Sequence, residues 1–554
     1  MLPDGFRIEN DTLFWPCGCH WAIVGDPPAP DALPLVAIDE NHLPHCPATY
    51  NELAYGFSRG VFQLEKQLGQ QWCRTLKPEH EEHLSALGAL LRPGCLRSKD
   101  ENGISITEMY CKRKNGEMPV TYPHPKLERH LAQSYGLMIY QEQFLAICAE
   151  LAGLDLVAQD KARKGVGKKI QEEIRKVRDM FLQGCAKMGE VSDETAKSIW
   201  HMMESSGRYL FNKSHSQSYA LLSYDTAYIK AHLPVQFIAS WLRHCRHEQK
   251  PLHKVAELVM EARRMQVPVL CPDVRRMRAL THTDGARVWF GLDDVKGVGA
   301  AALTGLRQRV AELTPRLGPV SDWTWEVWLR HVAGPPVGIT TMRAWAEAGA
   351  FSWTGLGRAR LCKELDAWET LTKGERKWIV GNVPAGNGLV AALRLAAKRR
   401  RDGGVCTSDD RVRIVASACD LLANNPSQDA DYPAAIAVKE ESLLGAAVTY
   451  TRLEGHDTSL ATTTCRDFLQ LTNNHGVHII ACEVMNVRSF KSRNGKTMAF
   501  VSVKDGTCGL DDVVVFSDEW TQFSSLLRPG RCVLITGERD PRRGSLKVNS
   551  VAAI

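Results

Sequence analysis

Phe211-Asn212-Lys213-Ser214-His215-Ser216, with Tyr219 just beyond, packs amide, ammonium, hydroxyl and imidazole donors into a few positions. Upstream, Lys161-Ala-Arg163-Lys164-Gly165-Val-Gly167-Lys168-Lys169 places five cations and two glycines in nine positions. Positive charge, short donors and glycines that let backbone come close are what a polyphosphate needs. The competing reading of the cationic stretch is a solvated helix face, since residues 161–178 carry eight Lys or Arg against Glu172 and Glu173. The two stretches together are taken as the working centre, and the remaining chain must say which phosphate they serve.

Working outward, 554 residues are too many for one core, so three or four domains are expected. A formal net charge of +6 permits a nucleic-acid partner without requiring one, because basic charge matters most when clustered. A second run, Lys398-Arg399-Arg400-Arg401, reads as a solvated face. No apolar stretch reaches the roughly 18 residues of a membrane span, and the first residues do not read as a signal peptide. Seventeen scattered cysteines read as reduced thiols, so a cytoplasmic setting is expected. Cys17-Gly-Cys19-His20 with His45-Cys46 has zinc-ligand types, but the second pair lacks the usual short spacing, and buried thiols are the favoured reading.

Residues 1–58 form a Pro- and Cys-rich segment. From there to about 270 the pattern is mainly helical: Ser192 reads as an N-cap, with Ala196, Ile199, Trp200 and Met203 on one face, and Val255, Leu258, Val259 and Ala262 repeat the spacing. Arg92-Pro93-Gly94 breaks one apolar run and Tyr140-Gln141-Glu142-Gln143 closes another. Residues 287–292 read as a strand. Lys296-Gly297-Val298-Gly299 then opens a helix, as the turn of a helix-hairpin-helix does; its glycines let N–H groups approach a DNA phosphate. Trp323, Trp325, Trp328 and Trp345 read as core, and 402–440 as loop-rich surface. From His475 the pattern is β: Val477–Met485, a hairpin turn at Arg493-Asn494-Gly495-Lys496, then Met498–Val503, Asp512–Phe516, Cys532–Thr536 and Leu546–Val551, with a short helix near Ser517–Leu527. Five strands and a helical piece suggest an OB barrel. Phe490, Phe500 and Phe516, with Arg488, Lys491, Arg493 and Lys496, suit stacking and tracking of single-stranded DNA, or else the rings fill the barrel; some of each is expected. The expected fold class is multidomain α+β: helical fingers, a helix-hairpin-helix region and a C-terminal OB barrel.

Gly60-Val-Phe-Gln-Leu-Glu65, Leu91-Arg92-Pro93-Gly94, Tyr140-Gln-Glu-Gln143, Lys168-Lys169, Phe211–Ser216 and Lys296-Gly-Val-Gly299 follow one another in an order that resembles the alpha subunit of bacterial DNA polymerase III, the C family of replicative polymerases. The resemblance implies fingers at 59–270, a helix-hairpin-helix and clamp-binding-like region at 271–465, and an OB domain at 475–554. It implies that Arg163, Lys164, Lys168 and Lys169 face the triphosphate, while Asn212, Lys213, His215, Ser216 and Tyr219 line the nucleotide site. Lys296, Gly297 and Gly299, with Arg488, Lys491, Arg493 and Lys496, are the implied DNA contacts. Lys164 stands where the family carries the second of two arginines, and lysine has no fork for bidentate phosphate contact.

Such polymerases hold two metal ions with palm carboxylates, an Asp-x-Asp pair and a third Asp, all upstream of the segment matching Gly60. Here Asp429-Ala-Asp431 is the sole Asp-x-Asp, and Asp39 lacks the flanking pattern; neither reads as catalytic. No catalytic or metal-binding residue is therefore assigned. The expectation is a split polymerase, with Mg2+ held by a separate palm-bearing polypeptide, and dNTP, primer-template and single-stranded DNA as ligands. A compact replication system of a bacterium or its virus fits. A sliding clamp is a weaker candidate partner, because Gln428-Asp-Ala-Asp-Tyr432 imitates a clamp motif poorly. The alternatives are a non-catalytic DNA-binding accessory protein derived from the same family, and an incomplete gene product.

Overall fold

The structure, a computed structural model, describes residues 7–9, 12–14, 20–25, 35–36, 45–168, 171–207, 209–247, 251–423, 431–471, 476–492, 494–540 and 544–554, with backbone alone at 12, 14, 20–25, 35–36, 167–168, 171 and 173. Packing divides it into two units, 2–233 and 234–554.

The first unit opens with a four-stranded sheet, Arg7–Glu9, Thr12–Phe14, His20–Gly25 and Leu35–Val36 in that order. The rest is helical. The elements that matter for function are α1 (Glu81–Leu90), α2 (Gln141–Ala152), α3 (Leu156–Lys168), α4 (Gln171–Met188), α5 (Asp193–Ser206) and α6 (Lys213–His232). Three of these starts have a local cause. Ser192 caps α5 by accepting from Thr195 N, and Ala196, Ile199, Trp200 and Met203 are buried as their spacing predicts. Asn212 caps α6 by accepting from His215 N at 2.8 Å. Tyr140–Gln143 opens α2 rather than merely ending the run before it: Gln143 Oε1 accepts from the N–H groups of Ile139 and Tyr140, both at 2.9 Å.

Helices α1 and α6 pack closely through Leu84, Leu87, Ala220, Tyr224 and Tyr228, all buried. Ser216 Oγ bonds to Ser85 O across this contact. The second core of the unit joins α2, α3, α4 and α5 through Phe144, Ile147, Val166, Phe181 and Trp200. The cationic stretch is helical over 161–168, so its glycines do not form an open phosphate loop. Gly165 is buried, and beside it Val166 leaves no room for a side chain at Gly207, where a Cβ would lie 2.0 Å from its Cγ1. On this helix Lys161 and Lys164 are exposed and Arg163 is half-buried, with the backbone donors spent inside the helix.

In the second unit the tryptophans expected in the core are there: Trp323, Trp325, Trp328 and Trp345 share one cluster, as do Val255, Leu258, Val259 and Ala262. The strand expected at 287–292 is the short Val288–Trp289, between Val269–Leu270 and His282–Thr283. The Gly-Val-Gly turn leads into α7 (Ala300–Leu317); before it stands a three-residue 3-10 turn, Leu292–Asp294. The 402–440 segment is not mainly loop. It holds helices Asp409–Ala423 and Pro433–Leu444, whose Val415, Ala418, Cys419, Leu422, Ile436 and Ala437 are buried at helical spacing.

The C-terminal region is a closed five-stranded barrel of β1 (Val477–Lys491), β2 (Thr497–Lys504), β3 (Gly509–Val515), β4 (Cys532–Arg539) and β5 (Leu546–Ala553). All neighbours are antiparallel except β3 and β5, where Val513 pairs with Leu546. A short helix, Ser517–Phe523, lies between β3 and β4. Alternation fills the interior: Ala499, Val501 and Val503 of β2 point in, with Ile480, Cys482, Val484, Val513, Val533 and Ile535. No helix among the described residues is long and apolar enough to cross a membrane.

Candidate functional site

Two residues at the start of α2 tie the decisive stretches together. Glu142 accepts from Asn212 Nδ2 at 2.8 Å and from the backbone N–H of Lys213 at 2.9 Å, so its carboxylate sits at the positive end of α6. Its neighbour Gln141 accepts from Arg163 of α3 at 3.3 Å. Backbone bonds hold this junction in register, Gln141 N to Phe211 O at 2.8 Å and Phe211 N to Ile139 O at 2.9 Å. Arg163 and Lys213, fifty positions apart in sequence, are thereby linked to one polar edge.

The cations on this edge are held by acids and amides. Arg163 and Lys164 both bind the carboxylate of Asp160, at 2.7 and 2.6 Å. The Lys164 and Arg163 hydrogen bonds hold that carboxyl below its ordinary range. Lys213 Nζ donates to Gln133 Oε1 at 2.7 Å, stands 3.8 Å from Glu82 and lies 5.8 Å from the centre of the Tyr140 ring.

Beside α6 opens a cavity of about 390 Å3. His215, Tyr219 and Phe211 give it an aromatic wall; Lys66 and Arg92 give it charge; Gln63 gives it an amide. His215 lies 4.3 Å from Tyr219 between ring centres, and Tyr219 lies 5.4 Å from Phe62. Arg92 stacks 4.1 Å above Phe211 and donates to Tyr209 O and Ala89 O, and burial holds its pKa below the usual value. The structure thus brings Arg163, Asn212 and Lys213 to one edge and places His215 and Tyr219 on a cavity. Ser216 is buried with its hydroxyl engaged by Ser85 O, a packing role. The side chain of Lys168 and all of Lys169 lie outside the described residues. Gln141, Glu142, Gln63, Lys66 and Arg92 were missed as site residues. Four of them lie inside stretches whose motif character is visible in the sequence, and Lys66 directly follows one, but their partners are remote in the chain.

The Gly-Val-Gly turn in the second unit has Gly297 at φ +87° and Gly299 as the N-cap of α7, with open space where a Cβ would stand at either position. Lys296 beside them is exposed. A phosphate has room to approach this backbone.

On the barrel, the phenylalanines stand outside and do not share in the filling. Phe490 is exposed and stacks on Phe500 at 5.2 Å with the planes 13° apart, and Arg488 lies 5.6 Å from the Phe500 ring centre. Phe516 is exposed at the start of the short helix. The barrel needs no phenylalanine from these strands because Val, Ile, Leu, Ala and Cys fill it, with Phe468 from the preceding helix. Lys491 is exposed, Lys496 reaches Asp518 at 3.5 Å, and Arg493 lies outside the described residues.

Cys46 is buried with its sulfur 3.3 Å from His232 Nε2; Cys17, Cys19 and the side chain of His20 lie outside the described residues. Asp431 of the clamp-like segment spends its carboxylate on the N–H groups of Arg358 and Ala359, at 2.9 and 3.1 Å, while residues 428–430 are outside the description, as is Asp39. Among the described residues no group of three or more His, Cys, Asp or Glu stands together as a metal site.

Residues 35–189 match the finger domain of the bacterial DNA polymerase III alpha subunit, and residues 479–551 match an OB-fold nucleic acid binding domain. The DNA polymerase III subunit alpha of Thermus aquaticus is 36% identical over 357 residues, covering 62% of this chain and 28% of the relative. That of Pseudomonas aeruginosa is 29% identical over 510 residues, 91% of this chain and 41% of the relative. That of Chlamydia trachomatis is 25% identical over 505 residues, 90% of this chain and 37% of the relative. The chain is similar to the polymerase III alpha subunit. Its likeness covers the fingers and the OB barrel, and it spans less than half the length of these polymerase III alpha subunits.

Proposed function

We propose that this chain is the nucleotide- and DNA-holding part of a split C-family DNA polymerase that acts in replication in the bacterial cytoplasm. The observation that carries it is the Gln141–Glu142 brace, which joins Arg163 of the cationic helix to Asn212 and Lys213 at the head of α6, beside an aromatic cavity. Charge there suits the phosphates of an incoming dNTP, and the His215–Tyr219 wall suits its base and sugar. Cations in a partly dehydrated cleft stabilise a phosphoryl group in transfer. The described residues do not fit a metal pair, so no chemical step is assigned to this chain; in this reading the Mg2+ ions belong to a separate palm polypeptide. The role of this chain is to bind and orient the triphosphate and, through the Gly297–Gly299 turn and the barrel, primer-template DNA.

Primer extension tests it. The purified chain mixed with a palm-bearing polypeptide should extend a primer, and Lys213→Ala or Arg163→Ala should abolish the gain. Extension that tolerates both substitutions would sink the assignment. A second reading, a DNA-binding accessory factor without chemistry, is favoured by the barrel alone, whose Phe490–Phe500 pair is a stacking surface independent of the first unit. That reading wins if the chain binds DNA but no palm polypeptide restores extension and no triphosphate binds.

A further inference from the structure

The second unit holds a cavity of about 480 Å3 that takes no part in the interfaces above. Its lining includes Cys271, Arg275, Trp289, Ser352, Trp353 and Thr449. Unlike Trp323, Trp325, Trp328 and Trp345, the two indoles here are only partly buried. Each carries a guanidinium: Arg275 lies 4.5 Å from the centre of the Trp353 ring and Arg276 lies 4.1 Å from that of Trp289. Arg275 is held by Asp273 at 2.7 Å, and Trp289 Nε1 donates to Asp284 at 2.9 Å. Trp353 Nε1 is enclosed and has no partner among the described residues, so the indole offers the cavity its ring and not its N–H.

One wall of the cavity asks for nothing. Glu440, fully buried, accepts from Arg358 at 2.6 Å, from Val448 N at 2.6 Å and from Thr449 N at 2.8 Å, so its charge is matched in place. Arg275 and Asp273 line the cavity as well, and the segment that carries them, residues 273–287, has Arg275, Arg276, Arg278 and Arg287 against Asp273 and Asp284, an excess of two positive charges. Partly exposed indole rings, and a wall whose acids are already paired, suit a flat uncharged heterocycle; Arg275 at the cavity suits an anion attached to it. A base of single-stranded DNA, with its phosphate, is both.

We propose that this cavity receives one unstacked base of the single-stranded template, with the adjoining backbone phosphate at Arg275. The proposal rests on the DNA-binding part of the function above and adds a base-holding site separate from the barrel. It is tested with the full chain and a primer-template hairpin whose 5′ overhang carries 2-aminopurine at successive positions. One position should show quenched emission on binding. The quench should persist in Phe490→Ala/Phe500→Ala, be lost in Trp353→Ala with about tenfold weaker binding, and return in part in Trp353→Phe. Arg275→Gln, which leaves the indole in place, should weaken binding and reduce its salt dependence, and it serves if Trp353→Ala does not fold. A quench that follows the barrel substitution, or equal binding by wild type, Trp353→Ala and Arg275→Gln, would overturn the proposal. A wild-type chain that binds no hairpin at all removes the DNA-binding reading beneath it.

Discussion

The edge at α6 and the outer face of the barrel both gather cations and rings, but they treat charge in opposite ways. At the α6 edge the charged groups already have protein partners: Asp160 holds Arg163 and Lys164, and Glu142 holds the head of the helix. On the barrel, Arg488 and Lys491 have no carboxylate partner among the described residues, and the Phe490–Phe500 stack faces outward. A pre-paired site binds an anion by exchanging partners, so it discriminates by geometry. An open platform binds by counterion release and stacking, so it takes any single strand. Under the proposed function, the difference assigns choice of ligand to the first region and retention to the second.

The largest expected effect breaks the first side. Lys213→Ala removes an ammonium held by Gln133 beside the cap of α6, and should lower extension by the assembled enzyme on the order of 100- to 1000-fold, as loss of a charge-stabilising donor does. Single-strand binding by the same variant should stay within about twofold, a ratio read in a filter or anisotropy assay, since stacking and backbone tracking reside elsewhere.

Acid is the next lever, and it acts on the helical unit. His83 is buried, its Nδ1 accepts from Glu79 N at 3.1 Å, and its Nε2 meets Tyr135 OH at 2.7 Å. Burial, with the nearby His80, pushes its pKa down to about 3. The unfolded ring titrates near 6.5, so the unfolded chain takes the proton first. Stability is therefore full above about pH 6.5 and falls as pH drops toward the folded value, by about 1.4 kcal/mol per pH unit. At pH 5 the loss should be roughly 2 kcal/mol. A urea midpoint that stays level between pH 7 and 5, or a slope that His83→Gln does not flatten, contradicts it.

How much of this was legible follows from the range of the causes. Barrel strands, the Ser192 cap and the tryptophan core follow from periodicity and single residues, and they were readable. The helices at 409–423 and 433–444 were readable too and were missed: Val412, Val415, Ala418, Cys419 and Leu422 keep helical spacing, but the intervening Asn, Pro, Ser and Asp suggested loop. The glycines of the cationic stretch misled because what packs against that helix is remote in sequence: Val166 fills the space beside Gly207, 41 positions on. Glu142 was out of reach for the same reason, since its bonds to Asn212 and Lys213 span 70 and 71 positions.

The barrel side is probed by Phe490→Ala with Phe500→Ala. Loss of one stacking surface should weaken single-strand binding about tenfold, some 1.4 kcal/mol, with the salt slope unchanged. Arg488→Gln with Lys491→Gln should instead shallow the slope of log K against log salt by about 0.7 per charge removed. If the ring variant changed the slope and the charge variant did not, the platform would not be a stacking surface lined by free cations.

The smallest expected effect is the sharpest on the comparison. Glu142→Gln keeps the shape of the brace but removes its charge. A glutamine offers one acceptor oxygen where the carboxylate serves two donors, Asn212 Nδ2 and Lys213 N, so one bond is lost at about 0.5–1.5 kcal/mol of stability. The same change removes a negative charge from the place where a triphosphate would bring more of it, and like charges at such a site disfavour each other. The variant should melt lower yet bind Mg-dNTP a few-fold tighter, measured by thermal unfolding and by nucleotide titration on one sample. Tighter binding with lower stability means that Glu142 keeps the helix head occupied until a phosphate replaces it. Weaker binding with lower stability means that the carboxylate only holds Lys213 in place, and the α6 edge then chooses its ligand by shape without any exchange of charge.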